Sequence, residues 1–248
     1  ILLILVMKYL FLRYTDFKSI NMKTVILAGG YGTRLAEYTD KIPKPMVQIG
    51  DKPILSHIMN FYQSYGHDEF IVAAGYKKDV ITEYYKNSKE FKNLTVVDTG
   101  ENTMTGGRIL RLKSYFDKNE NFFMTYGDGL CSINLDSLIQ FHLKHKKIAS
   151  VTAVHPPVRF GELEIKGDDV TKFEEKPQAS AGWINGGYFV LNSKVFDYID
   201  NDQTLFEKEP MTKLCNDNNL KAFKHENFWK CMDTIRDKID LEKILSTQ

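Results

Sequence analysis

The sequence predicts an α/β fold: a doubly wound, mostly parallel sheet carrying a small antiparallel β extension. Three observations carry that expectation. From Met22 onward, short apolar runs alternate with amphipathic segments, the pattern of repeated strand–helix units. The first of these runs, residues 24–28, is short and continuously apolar, as a strand covered on both faces must be. Between residues 159 and 192 the alternation gives way to consecutive short β segments with no helix between them.

Residues 24–28 end in a glycine-rich turn. Residues 53–65 then read as a helix, because Asp51 is a candidate cap, Pro53 suits a first turn, and Ile54, Leu55, Ile58, Met59 and Tyr62 share one face. Gly66 ends it. Strand 70–74, helix 79–85 and strand 94–98 follow, then a helix over 105–116 and strand 121–126, which stops at Gly127-Asp128-Gly129. Helix 135–147 and strand 148–154 complete the alternation, with right-handed crossovers expected throughout. Segments 161–165, 170–174 and 184–191 are assigned to the antiparallel extension over the rim. Helices 193–199 and 204–216, strands 220–224 and 229–232, and a last helix after Thr234 close the chain. Ligands of doubly wound sheets bind at the carboxyl ends of the strands, so the loops after Ala28, Asp98, Tyr126 and Val154 define one candidate rim.

Composition narrows the function classes. Hydrophobic residues make up 43% and charged residues 26% of the 248, which excludes disordered and fibrous chains. With 33 Lys and Arg against 32 Asp and Glu, no bulk basic field exists to hold nucleic acid. Any anion must be captured by a few placed cations. Cys131, Cys215 and Cys231 show neither a CxxC pair nor zinc spacing, which favours a reduced, cytoplasmic setting. His142 and His145 have no evident third metal ligand and are expected at the surface. Residues 1–21 differ from the rest: Ile1-Leu-Leu-Ile-Leu-Val6 falls short of the ~20 apolar residues that span a bilayer, and no basic segment precedes it. They are treated as an N-terminal extension of unknown order beside a domain over residues 22–248, with no membrane association expected.

The first turn, Leu27-Ala-Gly-Gly-Tyr-Gly-Thr-Arg34, combines three glycines, a hydroxyl and a fixed cation. Glycine permits positive φ and brings backbone N–H groups against a bulky polyanion, although a plain tight turn has the same composition. A dinucleotide fingerprint fails because Leu35 stands where the third glycine belongs, and a P-loop fails for want of its lysine. Further on, Lys44 lies between Pro43 and Pro45, which hold the backbone extended. Alone it reads as a solvated lysine. Asp128 alone reads as a turn residue, and Asp233 as a cap for the last helix.

Taken together, Gly29-Gly-Tyr-Gly-Thr-Arg34 and Lys44-Pro-Met resemble the signature of the sugar-phosphate nucleotidyltransferases. The wider pattern is similar to the glucose-1-phosphate cytidylyltransferase branch: Thr99-Gly-Glu-Asn-Thr-Met-Thr-Gly-Gly-Arg108, Thr125-Tyr-Gly-Asp-Gly129, Arg159-Phe-Gly-Glu162, Glu174-Glu-Lys-Pro177, Ile184-Asn-Gly-Gly187 and Met232-Asp-Thr-Ile-Arg-Asp237. The resemblance implies a Rossmann-like fold of the nucleotide-diphospho-sugar transferase type. It implies transfer of a nucleoside monophosphate from a nucleoside triphosphate, with CTP favoured, to a sugar 1-phosphate, most simply glucose 1-phosphate. The products would be CDP-glucose and pyrophosphate, with Mg²⁺ as cofactor and a homo-oligomer as the expected assembly. UTP or dTTP in place of CTP, and a non-catalytic nucleotide-sugar-binding module, stay open.

The same resemblance assigns residues. Arg34 and Lys44 would act on the reacting phosphates, and Asp128 and Asp233 would hold the metal. Leu27, Ala28, Gly29, Gly30, Tyr31, Gly32, Thr33, Arg34, Thr103, Arg108 and Gly127 would line the nucleotide side, where Arg108 could reach a pyrimidine carbonyl or a phosphate. Lys44, Gly161, Glu175, Lys176, Asn185 and Gly186 would take the sugar phosphate. One departure is visible: the branch usually carries an inserted segment between the helix ending near Tyr85 and the strand at Leu94, where this chain has only residues 86–93.

Overall fold

All five residues of the strand Thr24–Ala28 are buried, the condition its apolar composition demands. The computed structural model describes residues 21–156, 162–166, 168–174 and 182–246. In chain order its strands are β1 (Thr24–Ala28), β2 (Gln48–Ile49), β3 (Lys52–Pro53), β4 (Glu69–Ala74), β5 (Asn93–Asp98), β6 (Asn121–Tyr126), β7 (Gly129–Cys131), β8 (Ala149–Val154), β9 (Glu162–Lys166), β10 (Asp169–Glu174), β11 (Ile184–Asn192), β12 (Leu220–His225) and β13 (Trp229–Cys231). Seven form one sheet in the order β12-β8-β11-β6-β1-β4-β5. Pairing is parallel between β1 and β4, β1 and β6, β4 and β5, and β8 and β12; β11 runs antiparallel between β6 and β8.

The doubly wound, mostly parallel sheet is therefore as the sequence predicts, with one relocation. Segment 184–191 was expected in the antiparallel extension; it lies inside the main sheet as β11. Tyr188, Phe189, Val190 and Leu191 are each at most 2% exposed. A run apolar on both of its alternating faces can be covered only in the interior of a sheet. The extension itself is the antiparallel pair β9–β10.

Alternation along the strands feeds two apolar layers. Ile26, Phe123, Tyr188 and Val190 face Ile54, Ile58, Met59 and Tyr62 on one side. Val25, Met124, Phe189 and Leu191 face Ile109, Leu112 and Phe206 on the other. The predicted face of the helix Ile54–Ser64 is fully buried at all five positions, and each such side chain contributes ~1.5–3 kcal/mol. Asp51 does not cap this helix. Lys52 and Pro53 instead pair with Gln48 and Ile49, which places Pro53 at the cap position. Gly66, at φ 84°, closes the helix by donating its N–H to the Gln63 carbonyl at 2.9 Å.

Two predicted helices are shorter than expected. The helix at 105–116 runs only over Thr105–Leu110, and that at 204–216 only over Glu209–Asn216. The segment before the second helix docks onto the start of the first instead of continuing as helix: Met104 N–H donates to the Asp202 carbonyl, Gly106 N–H to the Thr204 carbonyl, and Phe206 N–H to Thr105 Oγ1. Gly107 makes that approach possible, since a Cβ there would sit 2.4 Å from the Asp202 oxygen and 2.5 Å from its Cα. Gly107→Ala is expected to lower the unfolding free energy by about 1–3 kcal/mol in urea denaturation. Gly30→Ala, with open space around the position, serves as the neutral control.

The two histidines expected at the surface are not free there. His142 is buried, and its Nδ1 and the Nε2 of His145 lie 2.9 Å and 2.7 Å from the same hydroxyl of Ser150. Burial pushes both imidazoles down, His142 to about 4 with His145 adding to the effect. Among the described residues, no helix is long and apolar enough to cross a membrane.

Candidate active site

The carboxyl ends of β1 and β6 open into a cavity of about 770 Å³. Its floor is a cation between two carboxylates. Lys44 opens a short 3₁₀ turn, Lys44–Met46, behind an extended Pro43. Gly32, at φ 63°, packs so closely that a Cβ on it would come within 2.9 Å of Lys44 Cβ. The lysine, which taken alone reads as solvated, is 8% exposed. Its Nζ lies 2.7 Å from Asp128 Oδ2 and 2.8 Å from Asp233 Oδ1. Burial by itself lowers the pKa of this ammonium, but the two carboxylates outweigh it and hold the value above the ordinary lysine range.

A small ladder brings the two aspartates together. Asp128 follows β6, and the next residues form β7, which pairs antiparallel with β13 through Gly129↔Cys231 and Cys131↔Trp229. Met232 N–H then donates to the Asp128 carbonyl at 2.8 Å, so Asp233 emerges beside Asp128. Asp233 does not cap the last helix. Thr234 and Asp237 do so reciprocally: Asp237 N–H donates to Thr234 Oγ1, and Thr234 N–H donates to Asp237 Oδ2. The Asp233 side chain is thereby directed to the site, where its Oδ2 also accepts from Arg34 at 2.7 Å. The Arg34 side chain is otherwise open, at 71% exposure.

Leu27, Ala28, Gly29, Gly30, Tyr31 and Gly32 line one side of the cavity, with Thr103, Arg108 and Gly127. Thr33 sits on the exposed outer side of the turn and does not line the cavity. The Tyr31 hydroxyl donates to Asn102 Oδ1 at 2.8 Å. Arg108 approaches from beneath at 4% exposure. Its two terminal nitrogens donate to the carbonyls of Gly29, Gly100 and Glu101 and to Thr99 Oγ1, tying the glycine turn to the ends of β4 and β5. A direct contact of either terminal nitrogen with a base or phosphate would replace one of these bonds.

On the other side, Asn185 and Gly186 line the cavity at an irregularity in the β11–β8 pairing. Trp229 Nε1 donates to the Gly186 carbonyl at 2.7 Å, and Asn185 Oδ1 accepts from Gly187 N–H at 2.8 Å. Gly161, Glu175 and Lys176 lie outside the described residues. Sequence reasoning did not single out Tyr126, Asn102 or Trp229, although all three line the cavity. Tyr126 and Trp229 were findable as termini of predicted strands. Asn102 lies within the Thr99–Arg108 motif, in the candidate rim loop after Asp98, and was findable there.

Comparisons with known proteins place the family and the fold. The profile of the nucleotidyl transferase family matches residues 23–246. The glucose-1-phosphate cytidylyltransferase of Salmonella typhimurium is 47% identical over 243 residues, covering 89% of this chain and 95% of the relative. A probable glucose-1-phosphate cytidylyltransferase of Bacillus subtilis is 42% identical over 245 residues, covering 90% and 96%. Among solved structures, HddC from Yersinia pseudotuberculosis superposes with a TM-score of 0.72 at 27% identity, covering 90% of this chain and 99% of that one. A UDP-glucose pyrophosphorylase bound to UDP-glucose shares the fold, with a TM-score of 0.70 at 18% identity and 92% and 99% coverage. The chain belongs to the nucleotidyl transferase family.

Proposed function

We propose that this chain transfers the cytidylyl group of CTP to glucose 1-phosphate, giving CDP-glucose and pyrophosphate. The observation that carries the reading is the buried Lys44 held by Asp128 and Asp233 at the floor of the cavity. The 47% identity to a glucose-1-phosphate cytidylyltransferase selects the substrates.

In the reaction, a phosphate oxygen of the sugar phosphate attacks the α-phosphorus of CTP, and the bond from that phosphorus to the bridging oxygen breaks. Pyrophosphate leaves with the electron pair. Attacking and leaving groups are both anionic, and each unit-charge pair at 4 Å repels by ~4 kcal/mol at an effective dielectric of 20. Charge neutralisation and alignment are therefore the main tasks of the protein. Lys44 and Arg34 supply fixed positive charge to the reacting phosphates and to the departing pyrophosphate. The glycine turn offers N–H groups to the triphosphate. Asn185 and Gly186, together with Gly161, Glu175 and Lys176, take the sugar phosphate.

The residues present fit Mg²⁺. Two carboxylates from different strand ends already share one cation. Mg²⁺ commonly takes one or two carboxylates and fills its sphere with phosphate oxygens and water. Asp128 and Asp233 would hold it, and the bound ion supplies Lewis-acid neutralisation of the phosphates.

A matrix of CTP, UTP, dTTP and GTP against several sugar 1-phosphates, scored by pyrophosphate release with Mg²⁺, tests the assignment. CTP with glucose 1-phosphate is expected to give the highest kcat/KM. Equal rates with UTP or dTTP overturn the base assignment, and no release with any pair overturns the enzymatic reading.

A further inference from the structure

Two walls of the cavity are joined by a carboxylate that lies outside its lining. Segment 201–208 is bonded to the nucleotide side through Gln203 Nε2 to the Asn102 carbonyl at 3.2 Å and through the backbone pairs at Met104 and Gly106. From this segment Glu207 presents both oxygens. Oε2 accepts from Thr105 Oγ1 at 2.6 Å, and Oε1 accepts from the Tyr126 hydroxyl at 2.6 Å. The same hydroxyl accepts from Asn185 Nδ2 at 3.4 Å. Thr105 opens the short helix whose Arg108 donates to the Gly29 carbonyl at 2.8 Å. Asn185 in turn orders the β11 irregularity through Gly187 N–H.

Each hydroxyl has a single proton, and both protons go to Glu207. The position therefore calls for an acceptor with two free oxygens, which among side chains only a carboxylate supplies.

We propose that Glu207 is a positioning residue that couples the nucleotide side of the cavity to the sugar-phosphate side, so that each substrate strengthens binding of the other. The proposal rests on the functional reading above and adds to it a residue and a property. Bringing two anions into line demands that both walls be set before attack, and a shared carboxylate sets them together. Coupling of this kind is reciprocal by thermodynamic necessity.

The test is titration calorimetry of glucose 1-phosphate in Mg²⁺ buffer, with and without α,β-methylene-CTP, which cannot be cleaved at the α-phosphorus. In the wild type the analogue should tighten sugar-phosphate binding about five- to tenfold, the lower end of measured couplings. Glu207→Ala should bring that ratio close to one while leaving analogue affinity in the absence of sugar phosphate little changed. Glu207→Gln, which keeps one acceptor oxygen and places an NH2 against the other donor, should fall between. A merely structural Glu207 would lower Tm and keep the ratio, and that result overturns the proposal. Should the alanine variant not fold, Tyr126→Phe removes the same link by deleting one hydroxyl, and a retained ratio there is equally fatal. Wild-type protein that shows no tightening, while still converting CTP, sinks the coupling alone. Wild-type protein that releases no pyrophosphate sinks the functional reading instead.

Discussion

Asp128→Asn and Asp233→Asn are each expected to lower kcat by roughly 10²–10³-fold, the loss typical when one preorganised group facing transition-state charge is removed. Both carboxylates are about a quarter exposed and end on the same ammonium, so each contributes charge at the point where phosphate charge must be offset. Asparagine keeps the size of the side chain and can still accept from Lys44, which separates loss of charge from loss of shape. Neither substitution touches the apolar layers, and Tm is expected to move by only about 2–4 °C. The Mg²⁺ concentration for half-maximal rate should rise in both variants. Single-turnover pyrophosphate release across an Mg²⁺ titration reads these effects together; an unchanged rate would remove the aspartates from the metal assignment.

The sheet was legible in the sequence because burial on two faces forces long apolar composition onto its strands, as in Thr24–Ala28 and Asn121–Tyr126. β11 was legible as a strand but not in its place, since strand pairing is a long-range choice that local pattern does not encode. The short pair β7–β13 was invisible as a pair: three residues on each side are too few for periodicity, yet they bring Asp128 and Asp233 together. Lys44 between two prolines was legible as restrained, but its burial depends on how closely Gly32 and the two aspartates approach it. Glu207 had no signal at all. Its partners Thr105 and Tyr126 are distant in sequence, and the segment before the helix Glu209–Asn216 reads as an ordinary helix start until its docking contacts are seen.

Lys44→Met is expected to cost about 10²–10³-fold in kcat as well, and its stability effect distinguishes it from the aspartate variants. Methionine fills a similar volume, so the cavity floor keeps its packing. What disappears is the cation between two carboxylates that stay in place. Leaving buried charge uncompensated costs about 3–5 kcal/mol; Asp128 and Asp233 are 27% and 22% exposed, so solvent screening should reduce this to roughly 1–2 kcal/mol. The direction of the Lys44 shift sets the pH dependence. A folded-state pKa raised above the unfolded value gives stability that is fully present below the unfolded pKa and lost only as pH climbs through the folded one. The stability gap between wild type and Lys44→Met should thus be flat over roughly pH 6–9 and should close only above the ordinary lysine value. Over the same range Lys44 stays charged and cannot serve as a general base, so no lysine deprotonation should appear in the rate profile. Mg²⁺ should restore more Tm to Lys44→Met than it adds to the wild type, because in the variant the ion fills the missing positive charge without competing against an ammonium for the same oxygens. Equal Mg²⁺ shifts in the two proteins would mean that the lysine and the metal do not share those carboxylates.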